Sequence, residues 1–549
     1  MKNWKRKYTS FKEKQHSKTL GARPEQKLGS LLEPNLQSIL QVLGEDGDLI
    51  IRRFRMYGLY DAAIIFFSSM ADLSQIHEHL LKPLMNPPAD PTSLPADSRD
   101  LPDFIWNLTI HVAQGDRTSD LSSLPDSLVA GNVVLLVNSM EQALYFNLRK
   151  IEQRSIEQPQ TEQILRGSRE GFIENLESNL SLLRYRLQTP DFRVQTCPLG
   201  ARTHSQVAVC YIDGIANPAL VEEVMRRLSM IHTDSIIDAG YIEQFIEDQP
   251  LSPFPQVQPT ERPDRSTAAL LEGRVIILVD GSPFSLIVPA LFNQFLQTMD
   301  DYTERFIVGS LIRFVRLIAL IFSLFFPALY VSIISFNPEL MPTEFAVAIS
   351  GGRAGVPFPA VLEVLVMEVS MEVLREATIR LPQMIGGALS IVGVLVVGQA
   401  AVAAGLASPT TVVIVALTTI GSFATPAYNA AIALRMLRFP LILMAGLFGL
   451  YGVMIGTIAV INHLLVLESF GVPYMTPYVP AVWRDMKDSL VRAPLWWIKR
   501  RPSFLHASDP DRLSRSMPKE YAAQIFTEEG EPYEQHPANH DPSGHSGNH

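Results

Sequence analysis

From Leu381 to Leu434 the chain runs for 54 residues without one Asp, Glu, Lys or Arg. Charged residues make up 19% of the whole sequence, so the gap is not chance. A hydrocarbon core about 30 Å thick takes roughly 20 helical residues to cross. The stretch therefore holds two crossings and a turn, and the chain reads as membrane-embedded.

The mean hydropathy of +0.13 is low for a chain that is membrane throughout, so a large soluble portion must dilute the apolar one. A net charge of −10 argues against nucleic acid as the main partner. Two cysteines, Cys197 and Cys210, are too few for a disulfide scaffold and lack CxxC spacing; they read as small apolar residues of a reduced domain. Residues 1–34 form a basic tail that includes Lys5-Arg6-Lys7. No apolar core follows it, so it is not a cleaved signal peptide. It reads as disordered, with attraction to anionic lipid as its functional alternative.

Residues 35–160 and 161–300 read as two tandem α/β subdomains, the second preceded by a helical linker. Strand-length apolar runs recur at 48–51, 62–67, 133–137, 207–212 and 275–279, with helices expected over 73–84, 140–148 and 218–230. Pro-rich segments at 87–95 and 249–263 read as loops. A faint echo links the halves. The run Gly131 to Val137 is answered by Gly273 to Val279, and a strand followed by Ala-Asp at 71–72 by a strand followed by Ala-Asn at 216–217.

The membrane domain is expected over 305–480. Its spans lie near 317–338, 384–405, 410–430 and 439–467, with Pro327 as an expected kink. Residues 356–380 are apolar apart from Glu363, Glu368, Glu372, Arg375 and Glu376. They read as an amphipathic or re-entrant helix. Arg305, Arg313 and Arg316 precede the first span, and Arg484, Lys487, Arg492 and Lys499-Arg500-Arg501 follow the last. Both ends are thus expected in the cytoplasm, which requires an even number of crossings. Arg435 and Arg438 disagree with a count of four. The tail from 481 to 549 is cytoplasmic and is expected to be disordered after about 528, where the His residues of its end lie.

No enzyme signature is present: no P-loop, no GxGxxG after a strand, no HExxH and no Cys/His quartet. Neither catalytic residues, nor a cofactor, nor a metal is expected. The informative groups are ionisable residues beside or within the membrane, where they are costly. On a helix, Glu368, Glu372 and Glu376 fall within about 80° of one another. Repeated around an oligomer, such a stripe gives an acidic ring that selects cations; on an interfacial helix it meets water or pairs locally, as Glu376 with Arg380. Glu363, Glu368, Glu372 and Gln399 are therefore the candidate ion-path or gating residues. Gln399, mid-span, lines a path or bonds a neighbouring helix. Gly446, Gly449, Gly452 and Gly456 give the last span a small-residue surface, and the Gly452/Gly456 pair has GxxxG spacing for helix packing.

Several ordered blocks of sequence carry a resemblance. They are Arg166 to Phe172 (RGSREGF), Asn179 to Leu187 (NLSLLRYRL), Ser252 to Pro255 (SPFP), Thr260 to Asp264 (TERPD), Leu271 to Arg274 (LEGR), Asp300 to Tyr302 (DDY), Val356 to Pro359 (VPFP), Glu372 to Arg380 (EVLREATIR) and Phe470 to Tyr474 (FGVPY). Over about 155–505 the chain resembles the A subunits of bacterial spore germinant receptors, the GerA family. The resemblance implies a nutrient-sensing complex in the spore inner membrane, with a transporter-like B subunit and a lipoprotein C subunit. It also implies a homo-oligomer, expected to be a pentamer, that opens as an ion channel and releases cations. An accessory channel that senses no nutrient, or a scaffold without a pore, is the alternative.

Overall fold

The computed structural model describes residues 26–86, 100–150, 159, 161–164, 166–379 and 396–512. The basic tail to residue 25, the Pro-rich 87–95 segment, the start of the 384–405 span and the His-containing end lie outside the described residues.

The soluble half is two five-stranded sheets. The first contains β1 (Leu49–Met56), β2 (Tyr60–Phe67), β3 (Gly115–Thr118), β4 (Val133–Val137) and β5 (Ala143–Phe146). The second contains β6 (Phe192–Leu199), β7 (Ser205–Ile212), β8 (Gln258–Thr260), β9 (Val275–Val279) and β10 (Ser285–Val288). Their orders are β1-β2-β4-β5-β3 and β6-β7-β9-β10-β8, the same order strand for strand. Every pairing is antiparallel. The echo in the sequence is thus a repeated fold, offset by 142 residues between the starts of β4 and β9 (275 − 133).

The unbroken apolar runs arise because each sheet is covered on both faces. In β2, Ala62, Ile64 and Phe66 enter one core and Ala63, Ile65 and Phe67 the other. In β9, Val275, Ile277 and Val279 face one side and Ile276 and Leu278 the opposite one. Helix α1 (Leu32–Leu43) covers the first sheet with Leu32, Leu36, Ile39 and Leu43, at helical spacing, together with α2 (Leu124–Val129). Helices α3 (Leu176–Arg186) and α6 (Pro263–Glu272) cover one face of the second sheet, and α4 (Pro218–Ser229) and α5 (Ala239–Ile246) the other.

One expected helix is a strand. Residues 140–148 are rich in helix formers, but the segment pairs with β4 as β5. Leu144 and Phe146 enter one core, while Ala143 enters the other and Tyr145 packs against it. That period of two, with β-sheet partners on both sides, overrides a weak propensity.

The two subdomains are pinned by a buried ion cluster. Arg184 of α3 donates to Asp48 at 2.6 Å and to Asp46 at 2.8 Å. Burial alone would raise the Asp48 pKa, yet Arg184, Ser68 and Ser69 hold it below the ordinary value. The guanidinium also lies 3.9 Å from the Phe67 ring centroid.

Beyond the soluble half stands a helical bundle of α7 (Phe306–Phe336), α8 (Thr343–Arg353), α9 (Ala360–Ile379), a segment at 396–403, α10 (Pro409–Phe423) and α11 (Tyr428–Val466). Helices α7 and α11 are long and apolar enough to cross a membrane, and α7 continues through Pro327. Helix α9 does not lie apart from the bundle. Ala360, Val364, Met367 and Met371 are buried in it.

The last span differs from the single crossing expected over 439–467. Gly449 has φ 63° and ψ −144°, which breaks the helix. A Cβ on Gly452 would lie 2.0 Å from the Met444 carbonyl oxygen, and one on Gly456 would lie 2.5 Å from Leu441 Cδ2. Residues 441 and 456 would be about 22 Å apart on a straight helix, so the chain doubles back at Gly449. Only glycine reaches that positive φ at little cost, and only a residue without a side chain admits the second arm so closely. Gly452 and Gly456 thus face the other arm of the same helical hairpin.

Candidate functional site

The acidic residues of α9 meet arginines of α8 and α11 and one of α9 itself. Glu363 sits at the start of α10. There Ser408 is the N-cap and Pro409 the first helical residue, a local pattern that begins helices. One Glu363 carboxylate oxygen accepts from Arg353 Nε at 3.1 Å and Nη2 at 2.9 Å; the other accepts from Ser408 N at 3.1 Å and Thr411 Oγ1 at 3.0 Å. The positive end of the α10 dipole adds to this. A buried carboxylate with four donors is fully satisfied.

Five residues on, Glu368 accepts from Arg438 Nη1 at 2.6 Å and Thr418 Oγ1 at 3.2 Å. Arg438 spans a further helix, donating through Nη2 to Ser323 of α7 at 2.6 Å. Another turn along, Glu372 accepts from Arg435 Nε at 3.1 Å and Arg375 Nη1 at 3.4 Å, while Arg375 Nη2 reaches Ser422 of α10 at 3.0 Å. Glu363 and Glu368 are 1% and 4% exposed, whereas the Glu372 side chain is 43% exposed. The result is a three-rung ion-pair ladder, dry at Glu363 and open to the surface at Glu372.

Of the candidates drawn from the sequence, Glu363, Glu368 and Glu372 stand together on one ladder. Gln399 is apart from it, exposed on the single chain in segment 396–403. Glu376 is also exposed, and its expected partner Arg380 lies outside the described residues. The partner arginines Arg353, Arg435 and Arg438 carried no signal of pairing beyond their presence in apolar surroundings. For Arg435 and Arg438, that misfit with the topology was the available clue.

A second junction joins the bundle to the soluble half. The second arm of α11 ends against the SPFP segment, where Ser252 Oγ and His463 Nε2 are 2.9 Å apart. The chain then forms a two-stranded turn of β11 (Glu468–Ser469) and β12 (Val472–Pro473). Ser469 Oγ donates to the Gln256 carbonyl at 2.7 Å and Phe470 N to Asp248 at 2.7 Å. Tyr474, fully buried, donates to the Pro255 carbonyl at 2.8 Å. Rings of Phe254, Phe292 and Phe295 surround it. Two blocks more than 200 residues apart in sequence therefore form one packed joint. On the same side of the bundle, Asp301 anchors the entry of α7, accepting from Arg313 at 3.0 Å and Arg316 at 2.9 Å.

Residues 37–504 match the family described as Bacillus/Clostridium GerA spore germination protein. The chain belongs to the GerA family. Spore germination protein KA of Bacillus subtilis (strain 168) is 41% identical over 495 residues, covering 90% of each chain. The uncharacterized membrane protein YfkQ of the same organism is 39% identical over 490 residues, covering 89% of this chain and 94% of its own length. Among solved structures, the N-terminal domain of the A subunit of the Bacillus megaterium spore germinant receptor GerK3 is 32% identical; the match covers 49% of this chain and 99% of that one, with a TM-score of 0.39. The GerA family match takes in the second sheet, the ladder and the joint at Tyr474.

Proposed function

We propose that this GerA-family chain is the A subunit of a spore germinant receptor and forms a ligand-gated ion channel in the spore inner membrane. Its α/β half and its tail face the cytoplasm. The passes are α7, α9, the 384–405 span, α10 and the two arms of α11. Six crossings return the chain to its starting side, and Arg435 and Arg438, which follow the fourth, then obey the charge rule. The assembly is a homopentamer joined by a transporter-like B subunit and a lipoprotein C subunit.

The ion-pair ladder between α9 and its neighbours is the observation that carries the reading. Shifting a gate from 1:99 to 99:1 takes about 5.5 kcal/mol of differential binding. Breaking one buried pair costs about 3–5 kcal/mol, so the rungs are of the right size to latch a closed state. A germinant bound on a partner favours an arrangement in which α9 shifts against α10 and α11. Freed Glu368 and Glu372, repeated around the oligomer, then supply the negative lining that admits cations. Gln399 faces a neighbouring protomer.

Potassium efflux from liposomes holding the A, B and C subunits tests this. Glu368→Gln raises efflux without germinant and lowers preference for cations once open. Germinant-independent efflux, opening and selectivity that all match the unaltered protein would remove the ladder from the gate.

A further inference from the structure

The tail beyond Tyr474 lies against the entry of α7. Arg492 donates to the carbonyls of Glu304 at 3.0 Å and Tyr302 at 3.2 Å, and its backbone N–H bonds Ser310 Oγ at 3.0 Å. Tyr302 OH donates to Asp488 at 2.8 Å, and the Trp496 ring meets Phe306 edge to face. These contacts fix residues 488–497 at the level of the first turns of α7, where Ile307 and Leu311 are exposed. At that level the tail exposes Val491, Leu495 and Trp497, the tryptophan at 60%.

Behind them lies a cleft of about 560 Å³ between the tail and the second subdomain. Six cationic side chains line it, Arg274, Arg484, Lys487, Lys499, Arg500 and Arg512, against three carboxylates. The carboxylates are already engaged. Glu272 binds Arg274, Asp485 accepts from Ser503 and pairs with Arg484, and Asp488 accepts from Arg313 and Tyr302, while Arg500 pairs with Asp511. Buried Arg274 also donates to the Pro289 carbonyl, whereas Lys487, Lys499 and Arg512 are exposed. Trp497 is part of the wall. Amphipathic aromatics beside lysine and arginine are the signature of the headgroup layer of a bilayer.

We propose that this cleft holds the phosphate-bearing headgroup of an anionic phospholipid, with Trp497, Leu495 and Val491 in the adjoining acyl boundary. The inference rests on the reading that α7 crosses the bilayer with its Phe306 end at the headgroups. Lys487, Lys499 and Arg512 bind the phosphate, and the lipid fastens the tail to the start of α7. A free phosphate shares this chemistry, so the test separates the two sources.

Native mass spectrometry of the full chain, titrated with phosphatidylglycerol or phosphatidylcholine, reads the site directly. The unaltered protein retains the anionic lipid preferentially. Lys487→Gln with Lys499→Gln lowers that retention about 30-fold, at roughly 1 kcal/mol per cation, with an unchanged melting point. Arg512→Gln, at the rim, gives a smaller loss and serves if the double variant unfolds. Equal retention by all proteins overturns the proposal, as does displacement of the lipid by millimolar glycerol phosphate. A nitroxide on Ile321→Cys in the same lipid reports the depth of α7 separately. Hydrocarbon depth with unaltered lipid retention removes this inference alone; an aqueous signal removes the membrane reading with it.

Discussion

Arg438 donates to Glu368 at 2.6 Å although the two stand 70 positions apart on different helices. The same guanidinium reaches Ser323 of α7, so one side chain ties three helices. Replacing Arg438 by Gln leaves a buried carboxylate without its counter-charge and is expected to cost about 3–5 kcal/mol. Glu368→Gln costs a similar amount. The exchanged pair Glu368→Arg with Arg438→Glu restores part of the loss, because the charges are again matched. Thermal unfolding in detergent measures these together with the single changes Glu368→Arg and Arg438→Glu, and an exchange variant no more stable than the sum of those two would exclude the pairing.

The reversal at Gly449 predicts a distance. Leu441→Cys and Gly456→Cys, about 22 Å apart on a straight helix, should be joined by a short thiol-specific linker within one chain. Linkage seen only between chains, or absent, would mean a continuous helix. Gly452→Leu is expected to prevent folding of this arm, since even a Cβ meets the Met444 carbonyl at 2.0 Å.

At the joint, Tyr474→Phe deletes one hydrogen bond to the Pro255 carbonyl and is expected to cost about 1 kcal/mol. Tyr474→Ala also empties the site among Phe254, Phe292 and Phe295, at about 3–5 kcal/mol. Melting curves of the two variants should therefore differ clearly, with the phenylalanine form close to the unaltered chain.

Glu243 on α5 supplies a pH signature. Burial first, then Glu247 and Asp238, pushes its pKa up to about 7 from an ordinary value of 4.5. The folded chain thus holds this proton more tightly than the unfolded one. Its contribution to stability is complete below pH 4.5 and falls as pH rises through 7. Glu243→Gln should raise the melting temperature at pH 8 and leave it nearly unchanged at pH 4.5. An equal shift at both values would assign the effect to packing rather than charge.

The central strands were legible because burial on both faces writes itself as an unbroken apolar run, as in Val133–Val137 and Val275–Val279. The segment 140–148 was not, because Ala, Leu and Met favour helix until sheet partners are supplied. The acidic stripe was legible in its spacing on α9. Its partners were hidden, since Arg435 and Arg438 lie 63 and 70 residues from the carboxylates they meet. Local rules reach one helical turn, and no periodicity encodes a contact between distant helices. The glycines of the last span announced close packing, but a row of glycines does not say whether the neighbour is another helix or the same one turned back.

Because α11 doubles back at Gly449, the bundle is fastened beside the second subdomain at two points, Asp301 with α7 and Ser252 with His463. A motion of the α/β half reaches the helices as a couple acting on both fastenings. Such a couple twists the bundle rather than pulling it, and in the ring of copies we propose, that twist is an iris.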